Sequence, residues 1–202
     1  MKAKILTGFL LGLVLMWGCS SLEVGRDVQA GRNALQTGRP QDAVGYLARA
    51  SAQDPNYVLP FQLGENVLTY LGRAYYETGR DQEARATLEK ALARNSNDHV
   101  ARLYLGLTLL RSGDKARGEK EIQSGLKGIN DAIDALAAHS LFGQYWDPGR
   151  QIRGDIQRAM ALRSDSPELV ALAERIGKAT DEEEGRVRRD ENRSLYGRAG
   201  DS

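Results

Sequence analysis

Residues 65–98 read ENVLTYLGRAYYETGRDQEARATLEKALARNSND, and this stretch decides the fold. Leu71, Gly72 and Tyr75 precede Gly79; Ala84, Leu88 and Ala91 follow it. Apolar and small residues three and four apart line one face of a helix, and Gly79 breaks the run into two helices. The same register recurs on either side. Residues 24–57 carry Gly31, Gly38, Ala43, Leu47, Ala50 and Pro55, and residues 99–132 carry Leu105, Gly106, Leu109, Gly113, Gly118, Ile122 and Gly125. Each segment has 34 positions, and a fixed period of that length marks stacked hairpins that bury one another.

The pattern assigns physical jobs. Gly31, Gly72 and Gly106 let the first helix of each pair approach the second. Leu47, Leu88 and Ile122 fill the space between them. Gly38, Gly79 and Gly113 end the first helix, where a left-handed backbone is cheap only for glycine. Asp81 and Asp114 follow two of those glycines and are expected to cap the next helix. Gly118 and Gly125 stand where the neighbouring units have alanine, and are expected to loosen the second helix of that unit by about 1 kcal/mol each.

In length and in these residues the segments resemble tetratricopeptide repeats. The resemblance implies an all-α chain, a right-handed α-solenoid of three clear units (24–57, 65–98 and 99–132). It also implies that the first helices line a concave groove that takes up a peptide or a partner helix. The groove positions are Arg32 and Leu35 in the first unit. They are Asn66, Thr69, Arg73, Tyr76 and Glu77 in the second, and Leu103, Leu107, Leu110 and Arg111 in the third. Arg and Tyr are residues in which interface energy concentrates. Residues 58–64 interrupt the first two units, and Phe61 and Leu63 are expected to extend or cover the next helix.

Beyond the third unit, residues 133–178 read as a degenerate fourth pair (helices over 130–142 and 151–162) and a capping helix. Ser166-Pro167 is a helix start, and Leu169, Leu172 and Ile176 form one apolar face suited to closing the solenoid end. From 179 to 202 apolar residues nearly vanish, and a charged, partly disordered tail is expected. Glu182-Glu183-Glu184, read as a solvated face, and Arg186 to Arg189 can prolong the helix before it frays, and the last dozen residues are expected to be disordered. Tyr145-Trp146, ahead of the Asp147-Pro148 turn, is a secondary candidate for partner contact, or else caps the core.

The N-terminus carries a second message. Lys2 and Lys4 precede an uncharged run from Ile5 to Trp17 and then Gly18-Cys19. A run of about 13 residues is short for a membrane span, which needs about 20, and suits a secretory signal. Leu15-Met16-Trp17-Gly18-Cys19 resembles a bacterial lipobox. That resemblance implies cleavage between Gly18 and Cys19 and acylation of Cys19, with 1–18 removed and 19–23 as a lipidated tether. Met16 and Trp17 depart from the usual Leu and small residue. Ser20, where an Asp would signal inner-membrane retention, implies an outer-membrane position facing the periplasm.

Little in the chain speaks for catalysis. Without Lys2 and Lys4 there are 26 basic residues against 27 acidic ones, so no net field favours nucleic acid. One cysteine excludes an intrachain disulfide. Two histidines, His99 and His139, share no metal-ligand spacing. There is no phosphate loop and no nucleophile elbow. No cofactor, metal or catalytic residue is implied. The expected function is a membrane-anchored scaffold or assembly adaptor that binds protein. A self-associating envelope lipoprotein is the alternative, and a hydrolase comes last. The partner and the oligomeric state are open at this level.

Overall fold

A computed structural model describes residues 22–59, 63, 65–162 and 166–196. Gly18, Cys19 and the rest of the proposed signal lie outside them, as does Phe61. Among the described residues eight α-helices follow in order: α1 (22–36), α2 (Pro40–Gln53), α3 (Val67–Glu77), α4 (Asp81–Arg94), α5 (His99–Arg111), α6 (Lys115–His139), α7 (Gln151–Met160) and α8 (Pro167–Tyr196). The only extended pairing among the described residues is a single bridge between Val58 and Asn66. The chain is an all-α stack of hairpins, α1/α2, α3/α4 and α5/α6, in which α2 also packs on α3 and α4 on α5.

The glycine pattern explains the close approach. A β-carbon at Gly31 would lie 2.5 Å from Leu47, one at Gly72 2.5 Å from Leu88, and one at Gly106 2.6 Å from the Ile122 amide. The three large side chains are fully buried, each worth about 1.5–3 kcal/mol. Gly38, Gly79 and Gly113 have φ of 70°, 74° and 89°. That left-handed backbone ends the first helix of every unit.

Two local expectations are corrected. Asp81 lies inside α4, one residue past its N-cap, and Asp114 stands at the N-cap of α6, but the side chain there makes no capping hydrogen bond. Caps are instead found on the first helices: Asn66 accepts from the Leu68 and Thr69 amides, and Asp98 accepts from the Ala101 amide. Asp81 turns to Arg111. Nor do Gly118 and Gly125 leave slack. A β-carbon at Gly118 would stand 2.8 Å from the Leu110 amide nitrogen, and one at Gly125 2.8 Å from that of Leu103. Both glycines admit backbone-to-backbone contact between α5 and α6, so alanine would overfill the site.

The helix expected at 130–142 does not stand alone. It continues α6 without a break to His139, so the fourth pair consists of the end of α6 and α7. Between them a short 3-10 turn (Gly143–Tyr145) leads to Asp147, which has φ of 42°. Asp147 accepts from the Ile152 and Arg153 amides and from the Arg153 guanidinium, and so fixes the start of α7. Trp146 is buried in the core and Tyr145 is half-buried, stacked on Phe142 with ring centroids 6.1 Å apart.

The last helix departs most from expectation. Ser166 caps it through the Leu169 amide, but it does not stop near 178. It is prolonged through the charged stretch 182–189 and runs on to Tyr196, so the first part of the last dozen residues, expected to be disordered, is helical. Residues 197–202 lie outside the described residues. Nor does α8 merely close the end of the stack: it lies across the first helices of the three hairpins.

Candidate functional site

Helices α1, α3 and α5 form one wall of the stack, and α8 rests on it. The contacts are specific. Asp181 of α8 sits 1% exposed between α1 and α3. It accepts from the Arg32 guanidinium, from Gln36 at 3.0 Å, from the Tyr70 hydroxyl at 3.3 Å and from Arg73 at 3.5 Å. Arg32 also donates to the Asp181 carbonyl at 2.6 Å. One helical turn earlier along α8, Gly177 faces the Tyr104 ring of α5, where a β-carbon would lie 2.8 Å from the hydroxyl. One turn earlier still, Glu174 accepts from the Tyr76 hydroxyl at 2.6 Å. Near the other end, Glu184 accepts from the Leu63 amide at 3.0 Å. Leu169, Leu172, Ala173, Ile176 and Val187 complete the buried stripe.

The groove residues read from the sequence are thus found together, but most are covered. Arg32, Leu35, Asn66, Thr69, Arg73, Tyr76, Leu103 and Leu107 are all buried. Asn66 caps α3, and Thr69 donates to Asp98 at 2.5 Å; both act within the scaffold. Leu35 and Leu103 belong to the core. Arg73 pairs with half-buried Glu77 at 2.9 Å and lies over Tyr104, its guanidinium carbon 5.6 Å from the ring centre. Arg111 stays exposed, stacked 3.9 Å over Tyr76 and bonded to Asp81 and the Tyr76 carbonyl. Between Tyr76, Leu107, Leu110, Arg111, Lys115 and Val170 the groove remains open, as a notch of about 270 Å³.

The electrostatics are uneven. Burial opposes the charge of Arg32, but Asp181, Tyr70 and Glu184 together raise the guanidinium above its ordinary value. On the acidic side, Glu65 at the start of α3 is 1% exposed, and neither of its oxygens receives a well-formed hydrogen bond among the described residues. Burial first, then Glu184, Asp181 and Asp98, hold it well above the usual carboxylate range. Burial also pushes Glu184 up to about 7, against the pull of the Leu63 amide and Arg32. Burial raises Asp98 to about 6, against its bonds to Thr69 and Ala101. Too many carboxylates therefore meet too few cations where the far half of α8 touches the wall.

Glu174, Gly177 and Asp181 were not singled out from sequence, and Glu184, expected on a solvated face, is instead buried at 3% exposure. A signal existed: Asp181 and Glu184 fall on the stripe that runs from Leu169 through Ile176 to Val187, at helical spacing. Carboxylates on a buried stripe call for cations on the surface it covers. Among the described residues no group of three His, Cys, Asp or Glu is placed to hold a metal ion.

A hairpin wall that seats a helix is one of the ways helical repeats bind. Residues 34–104 match the tetratricopeptide repeat family model. Over those residues the chain is similar to tetratricopeptide repeats. The matched segment runs from the end of the first helix, through the whole second hairpin, into the third. Tetratricopeptide repeats mediate protein–protein contact, so the groove formed by α1, α3 and α5 is the site to consider. No solved structure matches the chain.

Proposed function

We propose that this tetratricopeptide protein is a lipid-anchored scaffold, on the periplasmic face of the outer membrane, that captures a helical segment of another protein in its groove. The observation that carries the reading is the seat of α8. The groove already holds an amphipathic helix, through Arg32, Arg73, Tyr70 and Tyr76. It also leaves a notch open beside Val170. The membrane part of the reading rests on Gly18-Cys19 behind a short apolar run. Among the described residues no helix is long and apolar enough to cross a membrane, so the acyl chains of Cys19 would supply the attachment. No catalytic role is proposed.

Two measurements in cells test it. A photocrosslinking residue placed at Leu110, on the notch, is expected to give protein adducts, and the same residue at exposed Arg85 on α4 is not. Equal adducts from both, or none from Leu110, would count against the groove. Radiolabelled palmitate is expected to label the wild type and not a Cys19→Ser variant; a label on both, or on neither, removes the anchor.

One observation favours a second reading, self-association. Leu141 and Leu195 are 86% and 56% exposed. With Phe142 and Tyr145 they border a hollow of about 260 Å³. Exposed apolar clusters of this kind serve as contact surfaces. Sedimentation of the chain starting after Cys19 distinguishes the two: a monomer at every concentration argues against self-association.

A further inference from the structure

The contact between α8 and the groove has one direction. The wall supplies the donors: two guanidiniums, two phenols and the Gln36 amide. Helix α8 supplies carboxylates, Glu174 and Asp181, seven positions apart on one face, with glycine between them. Two cationic side chains of α8 reach away from the wall: Arg175 to Asp155 of α7, and Arg186 to the Tyr145 carbonyl. The groove is thus selective for an acidic helix face with a small residue over Tyr104.

The fit of α8 is incomplete. The Tyr104 hydroxyl is buried beneath Gly177 with no hydrogen-bond partner among the described residues, and so is one oxygen of Glu184. Glu184 also feels the like charges of Asp181, Asp98 and Glu65, with Arg32 as the compensating cation. Buried polar atoms without partners, and like charges brought together out of water, both work against docking. The groove also continues past the first turn of α8, into the notch lined by Leu107, Leu110 and Arg111. A helix entering from that end would meet open surface first.

We infer that α8 is a built-in stand-in for the partner: an acidic amphipathic helix of another protein, with carboxylates three residues before and four residues after a small residue, takes its place in the groove. This rests on the scaffold reading above and names the partner's chemistry. A second copy of the chain is the less fitting occupant. Helix α7 is held to the end of α6 by the Arg153–Asp134 pair, and only residues 161–166 join α7 to α8. Six residues span at most about 20 Å, too little for α8 to leave its own groove and fill another while α7 stays in place.

The test uses the full chain purified in detergent. Gly177→Leu drives a side chain against Tyr104 and should lift α8 without altering the wall. A fluorescent peptide of residues 166–187 is expected to bind this variant about 100-fold or more tighter than wild type, because a tethered competitor has been removed. The same peptide with Glu174→Lys and Asp181→Lys is expected to lose that binding. Equal binding of the two peptides, or no gain from Gly177→Leu in a variant that keeps its helical circular dichroism, overturns the inference.

Should Gly177→Leu unfold, native-state hydrogen exchange of the wild type decides. Amides of residues 169–181 should exchange through an opening that leaves α3 and α5 protected. Exchange of all three helices in one step overturns the inference, and so does a concentration-dependent dimer of the loosened variant, which gives the groove to a second copy. If α8 opens only with the whole fold while the Leu110 crosslink still captures a partner, the scaffold reading stands and this inference fails.

Discussion

Arg32 and Asp181, 149 positions apart in the chain, form a buried ion pair that ties the first helix of the stack to the last. Both side chains are almost fully excluded from water, at 5% and 2% exposure. Such a pair contributes less by its attraction than it costs to break, because the partner left behind is a charge in a dry place.

Asp181→Ala should therefore destabilise the fold by about 3–5 kcal/mol, since it leaves Arg32 and Arg73 without that carboxylate. The double variant Arg32→Met with Asp181→Leu should cost clearly less than the sum of the two single changes. Urea denaturation of the four proteins in a double-mutant cycle reads the coupling. A cycle that closes additively would show that the two residues do not act together.

Glycine substitutions should split by location. Gly72→Ala places a β-carbon 2.5 Å from Leu88 and should cost about 1–3 kcal/mol by overpacking. Gly45→Ala, in the exposed middle of α2 with only the Arg49 guanidinium at 4.0 Å, should add about 0.5–1 kcal/mol from backbone entropy. Thermal unfolding checks both signs, and Leu88→Ala should reduce the penalty of Gly72→Ala.

The acidic cluster predicts how stability follows pH. Glu184 rises to about 7 and Asp98 to about 6, with Glu65 raised as well; in the unfolded chain these groups titrate at about 4. Between those values the native state binds more protons than the unfolded one. The contribution is fully present below about pH 4 and is lost as pH rises through 6 and 7. From Glu184 and Asp98, stability should fall by on the order of 4 kcal/mol between pH 5 and 8, and Glu65 acts in the same direction. Arg32, Asp181 and Tyr70 face the same cluster and set how steep the fall is. Glu184→Gln keeps an acceptor for the Leu63 amide and should flatten the curve; an unchanged slope would place the titration elsewhere.

Asp147 joins a left-handed backbone to a helix cap. Asp147→Ala removes the acceptors of the Ile152 and Arg153 amides and a partner of the Arg153 guanidinium, and should cost roughly 2–4 kcal/mol. Asp147→Asn keeps an acceptor and tolerates φ of 42°, so it should cost distinctly less. If the two are equal, the cap is not what holds α7.

The hairpins were legible because their contacts are local. Gly72 meets Leu88 and Gly31 meets Leu47 within one 34-residue unit, and the period repeats the evidence. Position 118 was misread for a related reason. A glycine in a helix looks like a weakness until the backbone lying 2.8 Å from its missing β-carbon is known. Asp81 is not a cap because α4 already starts with it, and its carboxylate goes to Arg111, 30 positions away, a contact that local spacing does not reveal.

From the residues alone followed an all-α stack, the left-handed turns at Gly38, Gly79 and Gly113, the basic and aromatic character of the inner wall, and a stripe of apolar side chains on the last helix. Where that stripe would go did not follow. Helical spacing states that a face must be covered, but many surfaces can cover it. The choice was made by charges far apart in the chain, when Asp181 found Arg32 and Arg73. Only the folded chain turned an open groove into one filled by its own last helix.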